Sequence, residues 1–246
     1  MLARFAFTQR AAAWGVNGLT LLPRLKSLPV LFAVLLRFAD CSQAAALALK
    51  VVEQAPPKEI DASIGGKLQS KAIQVLDEEK IIYEFWFSNL VPLQSKPASA
   101  AKALDAVKET TLLGAVFVPK PKRDYRDDEL PAGVYTMRFA LQPQDGDHLG
   151  TAEYSYFAVL VSSKLDTKLD GITDFKSLVK TSAKGGTGDH PIILSLRPAP
   201  SGQGDLPKLN EPAPEHKSIR VKLPAKVGEE NTILPFEIVC EGKAKK

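Results

Sequence analysis

Two short segments combine residue types that can bind a metal ion or move a proton. They are Gln142–Thr151 (QPQDGDHLGT) and Gly185–Pro191 (GGTGDHP). The candidate ligands are Asp145, Asp147 and His148 in the first segment, and Asp189 and His190 in the second. Carboxylates and neutral imidazoles from separate loops are typical ligands of a divalent metal. If the two loops meet, these residues predict a metal-assisted enzyme.

A purely structural role explains the same residues. Asp-Gly is a turn dipeptide, and aspartate side chains accept hydrogen bonds from turn amides. The sequence contains no GxSxG and no Cys-x-x-Cys motif, and the glycine-rich segment 185–188 lacks the lysine of a phosphate loop. These residues therefore identify no cofactor, although a divalent metal stays possible. We expect these loop residues to stabilise turns and not to take part in catalysis. This expectation favours a non-catalytic protein over an enzyme.

Short apolar segments must position these loops. Lys80–Phe87 (KIIYEFWF) is the clearest strand, because its side chains alternate between a strongly apolar and a mixed face. The pattern predicts further strands at Lys71–Leu76, Thr111–Val118, Val134–Leu141, Tyr154–Val161, Ile192–Leu196, His216–Leu223 and Thr232–Cys240. With no alternation of strands and helices, they predict an all-β fold, an antiparallel β-sandwich of jelly-roll or Ig-like type.

One short helix is predicted at Thr173–Thr181, with Thr173 as its cap and an apolar stripe at i, i+3 and i+4. Three other segments lack a clear strand pattern. We expect a polar entry segment at Val51–Lys58, a short surface helix or irregular loop within Ser88–Thr110, and a long loop at Arg197–Pro214.

The N-terminal residues are typical of an export signal. Arg24 and Lys26 precede the apolar run Leu28–Leu36, and small residues follow at Ala44–Ala48. Cleavage is predicted after Ala46 or Ala48, and the run is too short to span a bilayer, which needs roughly 20 residues. The chain therefore divides into a leader, residues 1–48, and a single β-sandwich domain, residues 49–246. A buried amphipathic helix is the alternative for the leader.

The net charge limits the classes of partner, and the cysteine content limits the disulfide bonds. From residue 49 onward the chain has 27 basic and 27 acidic residues, so no overall field attracts nucleic acid or acidic membranes. Cys240 is the single cysteine there, which excludes an intrachain disulfide in that domain. We expect an unidentified protein or small ligand as the partner, no nucleic acid, and no transmembrane segment in the mature protein.

The central residues resemble a group of uncharacterised exported bacterial proteins. The resemblance rests on Pro131–Thr151 (PAGVYTMRFALQPQDGDHLGT), Tyr156–Leu160 (YFAVL) and Gly186–Leu196 (GTGDHPIILSL). That group has a PGxYxxRxxxQPxDGDHxGT segment and a later GTGHP-like segment, into which this chain inserts Asp189. The resemblance implies export and a β-sandwich, and it implies no activity.

These observations predict an exported protein of the periplasm or the extracellular space. Its predicted function is non-catalytic, either binding or structural, with an unidentified ligand. The alternative is a metal-assisted enzyme that uses the Asp147, His148 and His190 loops.

Overall fold

The computed structural model describes residues 47–143, 155–199, 204–213 and 216–242. The predicted ligands Asp145, Asp147 and His148 and the leader up to residue 46 lie outside these ranges. Within them the fold is all-β with two α-helices. The strands are β1 (Ala48–Glu53), β2 (Lys71–Asp77), β3 (Lys80–Phe87), β4 (Val91–Leu93), β5 (Leu112–Val118), β6 (Lys122–Arg123), β7 (Glu129–Leu130), β8 (Gly133–Leu141), β9 (Tyr156–Ser162), β10 (Ile192–Pro198), β11 (Lys208–Ala213), β12 (His216–Val227) and β13 (Glu230–Glu241). The helices are α1 (Ala62–Gly65) and α2 (Phe175–Ala183).

One large sheet dominates the described residues. Its strands follow the order β1-β2-β3-β5-β8-β9-β10-β13-β12-β11, and every neighbouring pair in that order is antiparallel. The short strand β4 pairs in parallel with β12, and a separate hairpin joins β6 to β7. The outermost strands β1 and β11 contact each other. The sheet therefore curls around a shared interior, which is consistent with a sandwich-like all-β fold.

The main core lies on the inner face of this curled sheet. Alternate residues of each long strand point inward, as the period-two pattern requires. Buried side chains from most strands of the sheet meet there, including Val75, Phe85, Val116, Met137, Leu160, Leu194, Val221 and Phe236. Cys240 is also buried in this core, and burial raises the pKa of its thiol to about 12. The thiol is consequently uncharged and unreactive at neutral pH.

Two smaller apolar clusters lie on the outer face of the sheet. Helix α1 places Ile64 against Trp86 and Ala115, and the Trp86 indole donates a hydrogen bond to the Gln54 carbonyl at 2.9 Å. Helix α2 covers β8, β9 and β10 through Leu178. Each cluster covers a row of apolar strand residues that face outward. This explains why strands such as β9 are apolar on both faces.

Most predicted strands are confirmed, and several predictions are wrong in detail. The predicted strand Lys80–Phe87 has the observed bounds, and the predicted helix at Thr173–Thr181 is observed two residues later. The fold has a second helix, α1, beyond the one predicted. Val51–Lys58 begins in strand β1, because backbone pairing with β2 outweighs its polar composition. The long loop predicted at Arg197–Pro214 includes β11, which pairs with β12, and Ser88–Thr110 includes β4 and two 3-10 turns.

No helix in the described part of the chain is both long enough and apolar enough to cross a membrane.

Candidate functional site

Of the five predicted ligand residues, the structure describes only Asp189 and His190. Both are exposed, in the segment between α2 and β10. The connection that carries Asp145, Asp147 and His148 leaves the sheet at the ends of β8 and β9, where the Gln142 amide donates to the Ser155 carbonyl at 2.8 Å. The described residues contain no group of three His, Cys, Asp or Glu residues that could hold a metal ion.

Asp189 and His190 lie at the rim of a pocket of about 330 Å³. We call it the α2 pocket. Its floor is apolar and comes from the outer face of β8, β9 and β10, while α2 forms one wall. The lining residues are Ala140, Phe157, Val159 and Ile193 on the floor, Phe175 and Val179 on α2, and Arg126, Leu141, Gln142, Pro143, Asp189, His190 and Pro191 around the rim. The segment Gln142–Thr151 therefore begins at the same pocket that Asp189 and His190 border.

Helix α2 is capped at its N-terminus and tied to the sheet near its C-terminus. Asp174 caps its N-terminus, and the carboxylate accepts hydrogen bonds from the Ser177 amide at 2.9 Å and the Ser177 hydroxyl at 2.7 Å. These hydrogen bonds lower the pKa of Asp174. The predicted cap, Thr173, is therefore wrong by one residue, since the aspartate carboxylate reaches the free amide of the first turn. Near the other end, the buried Ser182 hydroxyl donates to the Leu160 carbonyl at 2.6 Å and accepts from the Ile192 amide at 2.9 Å.

The rim opposite α2 is built on a tight turn that follows β6. The buried Asp124 carboxylate accepts hydrogen bonds from the amides of Arg126 and Asp128, at 2.8 and 3.0 Å. Burial raises the pKa of Asp124, while the nearby Arg126 guanidinium acts in the opposite direction. Arg126 Nη2 lies 3.0 Å from the Asp128 carboxylate and donates to the Pro191 carbonyl at 3.3 Å. The turn is thereby tied to the segment that carries His190.

Sequence reasoning missed Arg126 because it lies in the charged run Lys120–Glu129, whose mixed signs are typical of a solvated loop. Its guanidinium is in fact partly buried, and its Nε has no hydrogen-bond acceptor within the described residues. No feature of the charge pattern distinguishes Arg126 from Arg123. The contact with the Pro191 carbonyl joins residues 65 positions apart, which no local pattern reveals.

A second, larger recess of about 620 Å³ lies beside β8 and includes Arg138 in its lining. Arg138 forms a bidentate ion pair with Asp166, with Nε–Oδ2 and Nη2–Oδ1 distances of 2.7 and 2.9 Å. Its Nη1 donates to the Thr110 carbonyl at 3.0 Å, and its Nη2 donates to the Leu169 carbonyl at 2.9 Å. Because its donors are used within the fold, Arg138 has a structural role. The α2 pocket is the better candidate site.

The α2 pocket combines an apolar floor with hydrogen-bonding groups at its rim. It can bury an apolar group of a ligand and hold a polar end beside the rim. Asp189 and His190 alone supply two metal-ligand types, one fewer protein ligand than catalytic zinc sites use. When compared with protein-family models, curated proteins and solved structures, the chain matches none of them.

Proposed function

We propose that the protein is an exported, non-catalytic binding protein and that the α2 pocket holds its ligand. The observation that carries this proposal is the combination of an apolar floor with a polar rim in one recess. Phe157, Val159 and Ile193 line its floor, Phe175 and Val179 form the more exposed wall, and Arg126 and His190 lie at the opening. A volume of about 330 Å³ falls in the range of small-molecule sites.

The rim favours binding over catalysis. Asp189 and His190 are exposed, and no side-chain hydrogen bond orients the His190 imidazole within the described residues. General-base catalysis by histidine usually requires a partner that fixes the orientation of the ring. The apolar floor supplies hydrophobic contact area and no nucleophile, which suits retention of a ligand and not its conversion.

Binding is expected to be detectable with N-phenyl-1-naphthylamine, a neutral apolar fluorophore whose emission rises in apolar surroundings. Val179→Trp should weaken its binding about tenfold or more, since the larger side chain occupies the pocket beside Phe175. The measurement is a fluorescence titration of the purified protein. Val51→Trp is the matched control, because Val51 is half exposed on β1 and outside the pocket lining. Equal binding by both variants would contradict the α2 pocket as the ligand site.

The alternative function is a metal-assisted enzyme. Its supporting observation is that Asp189 and His190 border the pocket at which the Gln142–Thr151 segment begins. A bound ion at a hundredfold excess over its Kd would stabilise the fold by about 2.7 kcal/mol. A rise in melting temperature with Zn²⁺, Mn²⁺ or Ca²⁺ that disappears in both His148→Ala and His190→Ala would favour this alternative over simple binding.

Export is supported by the leader pattern and by the resemblance to exported bacterial proteins. The mature chain is expected to begin at Leu47, after cleavage at Ala46. Leu47 is only 7% exposed and packs in the main core, and Ala48 is already paired with Leu76 in β1. Cleavage after Ala48 would remove a buried leucine whose burial contributes about 1.5–3 kcal/mol.

Intact-mass spectrometry of the native protein tests this start. A chain that retains Met1 would contradict export, whereas a chain that begins at Leu49 would contradict the role assigned to Leu47 and leave export supported.

A further inference from the structure

Three lysines lie in a row along the exposed side of helix α2 and its C-cap residue. Lys176, Lys180 and Lys184 are spaced four residues apart, so they follow one another along one stripe of the helix. All three are exposed, and none forms an ion pair in the described part of the chain. We call this row the lysine stripe.

Helix stability accounts for the lysine stripe only in part. Like charges four residues apart repel one another and destabilise a helix. Lys176 lies in the first turn, where the helix dipole disfavours positive charge, and the nearby N-cap carboxylate of Asp174 offsets only this one lysine. Only Lys180 and Lys184, near the C-terminal end, gain from the dipole. The lysine stripe therefore places like charges along one side of α2, and a bound anion would relieve their mutual repulsion.

The lysine stripe is continuous with the α2 pocket. It lines a shallow groove whose other residues include Phe175, Val179 and Asp189, and these three also line the α2 pocket. An apolar surface therefore passes directly into a positively charged one. The carboxylate of Asp189 lies at the junction and opposes an anion, but the three lysines outnumber it.

We propose that the ligand of the α2 pocket is a free amphiphile with an apolar chain and an anionic head group. This inference rests on the proposed function and specifies the ligand class. The chain lies in the pocket against Phe157 and Phe175, and the head group contacts the lysine stripe. A neutral apolar molecule would contact only the α2 pocket and not the lysine stripe. The charge on the head group should therefore add affinity.

Displacement of N-phenyl-1-naphthylamine tests the proposal with two matched competitors. Decanoate and 1-decanol share a ten-carbon chain and differ in charge. Decanoate should displace the fluorophore at about tenfold lower concentration than 1-decanol. Its one carboxylate can pair with two neighbouring lysines of a stripe about 12 Å long, and each exposed ion pair contributes a factor of about 1.4 to 5. The advantage of decanoate should shrink in 0.5 M NaCl, since salt screens exposed charges.

The triple variant Lys176→Gln, Lys180→Gln, Lys184→Gln should bind 1-decanol as before and lose the preference for decanoate. The triple variant Lys50→Gln, Lys58→Gln, Lys222→Gln is the control, because it removes the same net charge from exposed positions outside both grooves. Its preference for decanoate should match that of the unmodified protein. A loss in both variants would assign the effect to net charge and overturn the proposal.

The outcomes separate this inference from the function on which it rests. Fluorophore binding with equal displacement by decanoate and 1-decanol would overturn the anionic ligand and leave the binding function intact. Absence of fluorophore binding in the unmodified protein would overturn both. Flotation with phosphatidylglycerol vesicles tests a membrane as the source of the head group. Vesicle binding without displacement by decanoate would contradict a free amphiphile.

Discussion

Arg138→Ala is expected to lower the free energy of unfolding by about 3–5 kcal/mol. The side chains of Arg138 and Asp166 are only 3% and 1% exposed, and they form a bidentate pair. Removal of the guanidinium leaves the Asp166 carboxylate buried, with the Thr136 hydroxyl as its remaining side-chain donor among the described residues. Because an uncompensated buried charge is far more costly than a lost contact, the loss should exceed that of an ordinary surface change. Urea denaturation followed by circular dichroism measures it.

A matched change at an exposed ion pair provides the control. Lys96 and Glu230 are 69% and 59% exposed, so Lys96→Ala should cost less than about 1 kcal/mol. The double variant Arg138→Met, Asp166→Leu should lose much less stability than Arg138→Ala and Asp166→Ala lose in sum, because it leaves no unpaired charge. If Arg138→Ala costs less than about 1 kcal/mol, the pair is solvated and the burial described above is wrong.

The Arg138–Asp166 ion pair joins the outer face of the sheet to the chain segment that leads into α2. Arg138 lies on β8, and Asp166 and the carbonyl of Leu169 lie on the connection between β9 and α2. The same connection supplies Ile172, which packs with Leu178 in the cluster beneath α2. The ion pair therefore fixes the chain that leads into α2, and its loss should also weaken ligand binding in the pocket.

The sequence was sufficient to predict elements whose side chains alternate strongly. Lys80–Phe87 was predicted with its observed bounds, because six of its eight residues are large and apolar and alternate cleanly in Tyr83, Phe85 and Phe87. The outward direction of Thr136 and Arg138 was predicted by the period-two alternation within the strand Val134–Leu141. Their burial was not, since it depends on a segment about 30 residues later that covers them. Local pattern determines the face of a strand but not what packs against it.

Elements that depend on a distant partner were missed. The sequence of β11 (KLNEPA) contains a proline and no apolar alternation, and the strand exists because β12 offers a free edge. Helix α1 has only four residues, too few to show a helical period. In the site, Asp189 and His190 were recognisable as loop residues of chemical interest. The apolar floor beneath them was not, because Ala140, Phe157 and Ile193 come from three different strands.

Phe85→Ala is expected to lower the free energy of unfolding by about 3–5 kcal/mol, which we would measure by urea denaturation. Phe85 is fully buried at the centre of β3, and its ring stacks on Tyr83 and Phe87 at centroid distances of 5.6 and 5.8 Å. Truncation removes both ring contacts and leaves a cavity in a core that strands from the whole sheet enclose. Phe139, fully buried on β8, should behave in the same way.

Comparison of Phe175→Ala with Phe85→Ala distinguishes the stability contributed by the apolar cluster beneath α2 from that contributed by the main core. Phe175 is only partly buried and lines the α2 pocket, so its loss should cost clearly less stability than Phe85→Ala while it weakens binding of the apolar fluorophore. Phe85→Ala should affect binding only to the extent that it unfolds the protein, because β3 contributes no residue to the pocket lining. Equal stability losses in the two variants would mean that the cluster beneath α2 belongs to the main core and that the pocket is not an independent site on the outer face.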